Sequence, residues 1–141
     1  MSASSTLNRH DVAAPAAAAS FDAAAGARRG AVAVGLVAVA VVHLADLPGK
    51  MEEVPYIGWM YVGLMAAALV LAEIVLVKPS RLAFLAAAGL SASTILGFVL
   101  TRTTGLPNAT DDIGNWTEPL GLVSLMVEAV VVWWALRATR D

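Results

Sequence analysis

The run Y-I-G-W-M-Y-V-G-L-M-A-A-A-L-V-L-A-E-I-V-L-V, from Tyr56 to Val77, decides the fold. It holds 22 residues and one charge, Glu73. A helix needs about 20 predominantly apolar residues to cross a ~30 Å hydrocarbon core. The tripeptide Lys78-Pro79-Ser80 interrupts the run, and a second apolar stretch follows between Arg81 and Arg102. Two long apolar runs joined by three polar residues predict a tight transmembrane hairpin.

Working outward, a shorter apolar run starts at Gly30 and another ends at Leu136. The expected spans are residues 30–47, 56–77, 82–101 and 120–136. The fold class is therefore all-α, a bundle of four transmembrane helices. The transmembrane domain covers 30–137, preceded by an Ala-rich cytoplasmic tail at 1–29 and followed by a short cytoplasmic end at 138–141. The tail is low-complexity, carries Pro15, Asp11 and Asp22, and is expected to be disordered.

Composition supports this reading. The 141 residues are 59% hydrophobic and 14% charged, with mean hydropathy +0.75. An average soluble domain is roughly a quarter charged, and a water-soluble chain of this size has no interior large enough for so much apolar surface. The absence of cysteine excludes a disulfide scaffold and a thiolate site. A net charge of −2 gives no basic footprint for nucleic acid.

Lys and Arg placement predicts orientation. With the N-terminus inside, seven of the nine basic residues lie on the inner side and only Lys50 and Arg102 lie outside. That bias puts both termini in the cytoplasm. The outer loops, expected at 45–55 and 103–119, then carry six of the 11 acids.

Polar residues inside a span are costly and usually face a bundle interior. Glu73, Glu128, His43 and Ser124 form the candidate intramembrane polar or proton site. No Lys or Arg lies within the spans, so Glu128 is expected to carry its proton and donate a hydrogen bond. Gly89, Ser93 and Gly97 make two successive small-xxx-small steps, a candidate helix-packing seam. Arg102 is expected to pair with Asp111, Asp112 or Glu118 and so clamp the second loop. His43, Asp46 and Met60 are the weak candidates for a metal, with Asp46 placed to orient the His43 imidazole and Met60 offering the soft sulfur that copper(I) prefers. One intramembrane histidine does not supply bis-histidine haem ligation.

The stretches L-T-R-T-T-G-L-P (100–107), D-D-I-G-N-W-T-E-P-L-G-L-V-S-L-M-V-E (111–128) and H-L-A-D-L-P-G-K-M-E-E-V-P-Y-I-G-W (43–59) carry a resemblance. Through them the chain resembles uncharacterised small four-span integral membrane proteins of high-GC actinobacteria. The resemblance implies a bacterial plasma-membrane location and brings no functional residue with it.

Signatures of hydrolases, phosphate-binding loops and dinucleotide folds are absent from the sequence. The leading expectation is a non-enzymatic accessory or assembly subunit, with lipid and other membrane subunits or further copies of itself as partners. The alternative is a proton- or cation-linked transporter subunit using the intramembrane Glu and His residues. A second alternative is an outer-face redox component associated with copper or haem; no cofactor is otherwise expected.

Overall fold

The computed structural model describes the backbone of residues 9–140 and the side chains of residues 23–140. The described residues form four helices: α1 (Arg9–Glu53), α2 (Pro55–Val77), α3 (Arg81–Thr103) and α4 (Pro119–Ala138). All four contain segments long and apolar enough to cross a membrane, with mean hydropathies from 1.9 to 2.3. Large apolar side chains such as Val34, Val77 and Leu82 point outward, more than 70% exposed. An outer surface of this kind suits hydrocarbon, where backbone groups must be satisfied within the helix.

Helix ends follow local chemistry. Pro55 and Pro119 open α2 and α4, where a missing N–H costs nothing. The Ser80 hydroxyl caps α3 by accepting from the Ala83 N–H at 3.1 Å. Gly105, at φ 72°, ends α3 in the left-handed region and donates to the Leu100 carbonyl at 2.9 Å.

Two boundaries differ from expectation. The first outer loop, expected at 45–55, is helical up to Glu53, and only Val54 separates α1 from α2. Pro48-Gly49 reads as a turn, yet proline's fixed φ is compatible with a helix. Its cost is a lost bond to the Leu44 carbonyl. At the N-terminus, α1 runs through residues 9–29, most of the stretch expected to be disordered. Alanine, which dominates there, is the strongest helix former. Residues 1–8 of that tail lie outside the described residues.

The helices form a ring in the order α2–α1–α4–α3. The α1–α2 hairpin and the α3–α4 hairpin meet mainly through α1 and α4, while α2 and α3 touch least. Three close approaches hold the ring, one of them at Gly58 of α2, where a Cβ would lie 2.6 Å from Met51 Sδ of α1. A Cβ at Gly35 of α1 would lie 2.5 Å from Val131 Cγ2 of α4, and one at Gly121 of α4 would lie 2.5 Å from Phe98 Cε2 of α3.

The buried apolar core is confined to one half of the bundle. It contains Leu36 and Val39 of α1, Ala72 and Val75 of α2, Phe84 and Ala87 of α3, and Val131 of α4. These residues sit toward the 78–80 turn. Toward the opposite end, where Val54 and the loop at 104–118 connect the helices, the interior is hollow.

Candidate functional site

The hollow is a cavity of about 400 Å³, within the usual range for ligand sites. Its walls include Ile57, Leu64, Leu90, Phe98 and Leu120, and its deepest polar residues are His43, Ser124 and Glu128. A second cavity of about 440 Å³ lies at the loop end and shares Asp46, Lys50, Ile57, Asp112 and Glu118 with the first. The lining of the first cavity runs from the loop residues Leu106 and Asp112 to Glu128 in the interior.

Glu128 is fully buried and stands just above the apolar core. Ser124, one turn earlier on α4, donates its hydroxyl to Glu128 Oε1 at 2.9 Å. The spacing of four residues places both side chains on one helical face. Glu128 Oε2 has no hydrogen-bond partner among the described residues. Buried polar atoms are nearly always paired, so this oxygen marks a place for a partner.

His43 reaches Glu128 from α1. Its Nδ1 lies 2.9 Å from the Val39 carbonyl, which only accepts, so Nδ1 carries a hydrogen. In the neutral ring, Nε2 is then left with a lone pair. Nε2 stands 3.9 Å from Glu128 Oε1, close enough for charge interaction and too long for a hydrogen bond. The imidazole is 5% exposed and meets the Tyr61 ring edge-on, with centroids 4.7 Å apart and planes at 83°. Tyr61 donates its hydroxyl to Asp46 Oδ2 at 3.1 Å.

Above this pair lies a network of ions. Arg102 is 5% exposed although it belongs to the last turn of α3. Its guanidinium binds Asp112 Oδ2 at 2.9 Å and Glu118 Oε2, and its Cζ lies 4.7 Å from the centre of the Phe98 ring. Lys50 of α1 reaches the same Asp112 oxygen at 3.3 Å and Glu53 at 2.8 Å. Asp112 thereby ties the end of α1 to the end of α3. The loop holds its shape through Asn108 at φ 56° and a reciprocal pair of bonds between Leu106 and Ala109. Tyr56 of α2 fastens it further by donating to the Pro107 carbonyl at 2.8 Å.

The sequence candidates therefore divide. His43, Glu128 and Ser124 come together. Glu73 lies apart, exposed on α2 and without a hydrogen bond or ion pair among the described residues. Ala68, Ala72 and Val75 take the inward face of α2 and turn Glu73 away from the cavity. Arg102 meets Asp112 and Glu118 but not Asp111.

Gly89 and Gly97 face open space, since a Cβ at either would meet nothing within 4 Å. Ser93 is exposed and donates back to the Leu90 carbonyl. Among the described residues the glycines at close contacts between helices are Gly35, Gly58 and Gly121 instead. Met60 and Asp46 line the cavity with His43, yet among the described residues no three His, Cys, Asp or Glu side chains are grouped to hold a metal ion.

Lys50, Tyr61 and Phe98 also line the cavity and were not among the site candidates read from the sequence. The signal for Tyr61 was its position two turns into the span, too deep for a simple interface anchor. Compared with protein-family models, curated proteins and solved structures, the chain matches none.

Proposed function

We propose that this protein is a proton- or cation-binding subunit of a bacterial plasma-membrane system, with both termini cytoplasmic and its cavity facing outward. The observation that carries this reading is the His43–Glu128 pair, 3.9 Å apart at the floor of a cavity reached from the loops. An imidazole lone pair beside a buried carboxyl group provides two places for one proton. Such intramembrane groups are functional by default because their burial is expensive.

The role is that of a subunit, and no bond-breaking chemistry is assigned. Below Glu128 the interior is filled by Val131, Ala135, Val39 and Leu36, all buried. A proton or cation arriving from the loops thus stops halfway. The unfilled face at Gly89, Ser93 and Gly97 favours onward coupling through another membrane subunit or a second copy. Orientation rests on the distribution of Lys and Arg, and plasma-membrane location on the resemblance to small four-span membrane proteins.

The test is infrared titration of the reconstituted protein. A carboxylic-acid C=O band that responds to external pH is expected in wild type and is expected to vanish in Glu128→Gln. Glu73→Gln is expected to leave it in place. A response that survives Glu128→Gln would remove the reading.

A further inference from the structure

We propose that the cavity binds a small organic cation with an apolar body, its positive centre at Glu128. This rests on the reading of the His43–Glu128 site given above and names the class of ligand it takes. Four acids line the cavity, Asp46, Asp112, Glu118 and Glu128, against the two bases Lys50 and Arg102. Both bases are already engaged, Lys50 by Glu53 and Asp112, and Arg102 by Asp112 and Glu118. The acids left without a Lys or Arg partner among the described residues are Asp46, held by the Tyr61 hydroxyl, and Glu128, which has the neutral His43 beside it and an unpaired Oε2. The deep end of the cavity therefore has an excess of acceptors over donors, and it is complemented by a positive charge.

The walls decide what kind of cation. A hard metal ion needs six or more oxygen ligands, or retained waters. Here the surfaces above Glu128 are Leu64, Leu90, Phe98 and Leu120, with the aromatic ring of Tyr61 beside the histidine. Such walls favour a substituted ammonium or pyridinium, whose apolar groups gain from leaving water. The flank between α2 and α3 suits the same class. Gly63 and Gly97 line the cavity there, and a Cβ on either would meet nothing within 4 Å. An amphiphilic cation concentrated in the bilayer has a side door at that seam. Once seated, the cation takes the place of the proton that the His43–Glu128 pair holds, so binding releases a proton.

The test uses the full chain in nanodiscs, titrated calorimetrically with benzyltrimethylammonium and with neopentylbenzene, its uncharged isostere. The cation is expected to bind saturably and at least roughly tenfold tighter than the isostere, as truncating or removing one partner of a buried charge pair commonly does. Proton release in weak buffer accompanies it. Glu128→Gln is expected to abolish the preference for the cation, and Glu73→Gln to leave it unchanged. Because the isostere comparison is made on wild type, the outcome does not depend on a variant folding. Equal binding of the two compounds, or an equal loss in Glu73→Gln, would overturn the proposal. If the cation fails to bind while the pH-sensitive Glu128 band persists, the ligand class falls and proton binding stands. Loss of both removes the site reading altogether.

Discussion

Gly35 of α1 lies directly against Val131 of α4, so closely that a Cβ at position 35 would come within 2.5 Å of the valine Cγ2. The neighbour is a stiff β-branched side chain inside the core, with little freedom to withdraw. Gly35→Ala is therefore expected to cost about 1–3 kcal/mol, the usual range for overpacking. Reversible unfolding in mixed detergent measures it. Gly89→Ala and Gly97→Ala serve as contrasts and are expected to be neutral or mildly stabilising. Adding Val131→Ala to Gly35→Ala is expected to recover part of the loss.

Arg102 makes a second, electrostatic join. With the Arg102 guanidinium buried against Asp112 and Glu118, Arg102→Ala leaves Glu118 without its base and Asp112 with Lys50 alone. The expected loss is about 3–5 kcal/mol, reduced because both carboxylates are partly exposed. Arg102→Lys is expected to rescue poorly, because one ammonium does not reproduce a planar group that serves two acids and stacks on Phe98. Limited proteolysis within residues 104–118 reads the loosening directly.

The two contacts of Lys50 differ in weight. Glu53 is 63% exposed and one turn away on the same helix, whereas Asp112 is half-buried and shared with Arg102. Glu53→Gln is expected to change stability by less than about 1 kcal/mol, as exposed pairs do. Asp112→Asn is expected to cost clearly more and to speed proteolysis of the loop. Equal effects would mean that Asp112 is not the tie between α1 and α3.

Ser124→Ala removes the only hydrogen bond that Glu128 makes within the described residues. The expected cost is about 1–3 kcal/mol, the penalty for stranding a buried acceptor. The same variant is expected to shift the pH-dependent carboxyl band of Glu128, a readout that simple loss of packing would not move.

Orientation is open to direct chemical labelling, since the chain has no cysteine. Thr110→Cys, in the long loop, is expected to react with a membrane-impermeant thiol reagent on intact cells. Ser80→Cys is expected to react only after permeabilisation. The reverse pattern would invert the topology.

The spans were legible because hydropathy is a property of composition along the chain. Residues 56–77 differ from α2 by the single residue Pro55. The connection at 45–55 was misread because Pro48-Gly49 signals a turn whether or not the helix continues. Within the site, Ser124–Glu128 follows from helical spacing alone. The approach of His43 to Glu128 does not, because it depends on how α1 is rotated against α4. That rotation belongs to the packing of α1 on α4, where the Gly35–Val131 contact is a long-range fit with no local sequence mark. Glycine spacing was ambiguous for a related reason: the same small residue lines a tight contact at Gly35 and an open flank at Gly97.

Val54 is the whole connection between α1 and α2, bonded back to the Lys50 carbonyl at 3.0 Å and forward by the Ile57 N–H at 2.9 Å. One residue leaves no slack, so neither helix can slide along the other without breaking both bonds. The first hairpin is mechanically a single stiff jaw. The second jaw is α3 with α4, and the side where the jaws barely touch is the α2–α3 seam, joined at its foot by Lys78-Pro79-Ser80. Widening that seam bends the molecule at the 78–80 turn and pulls on the Asp112 tie at the far end, like a latch set across the mouth of a hinge.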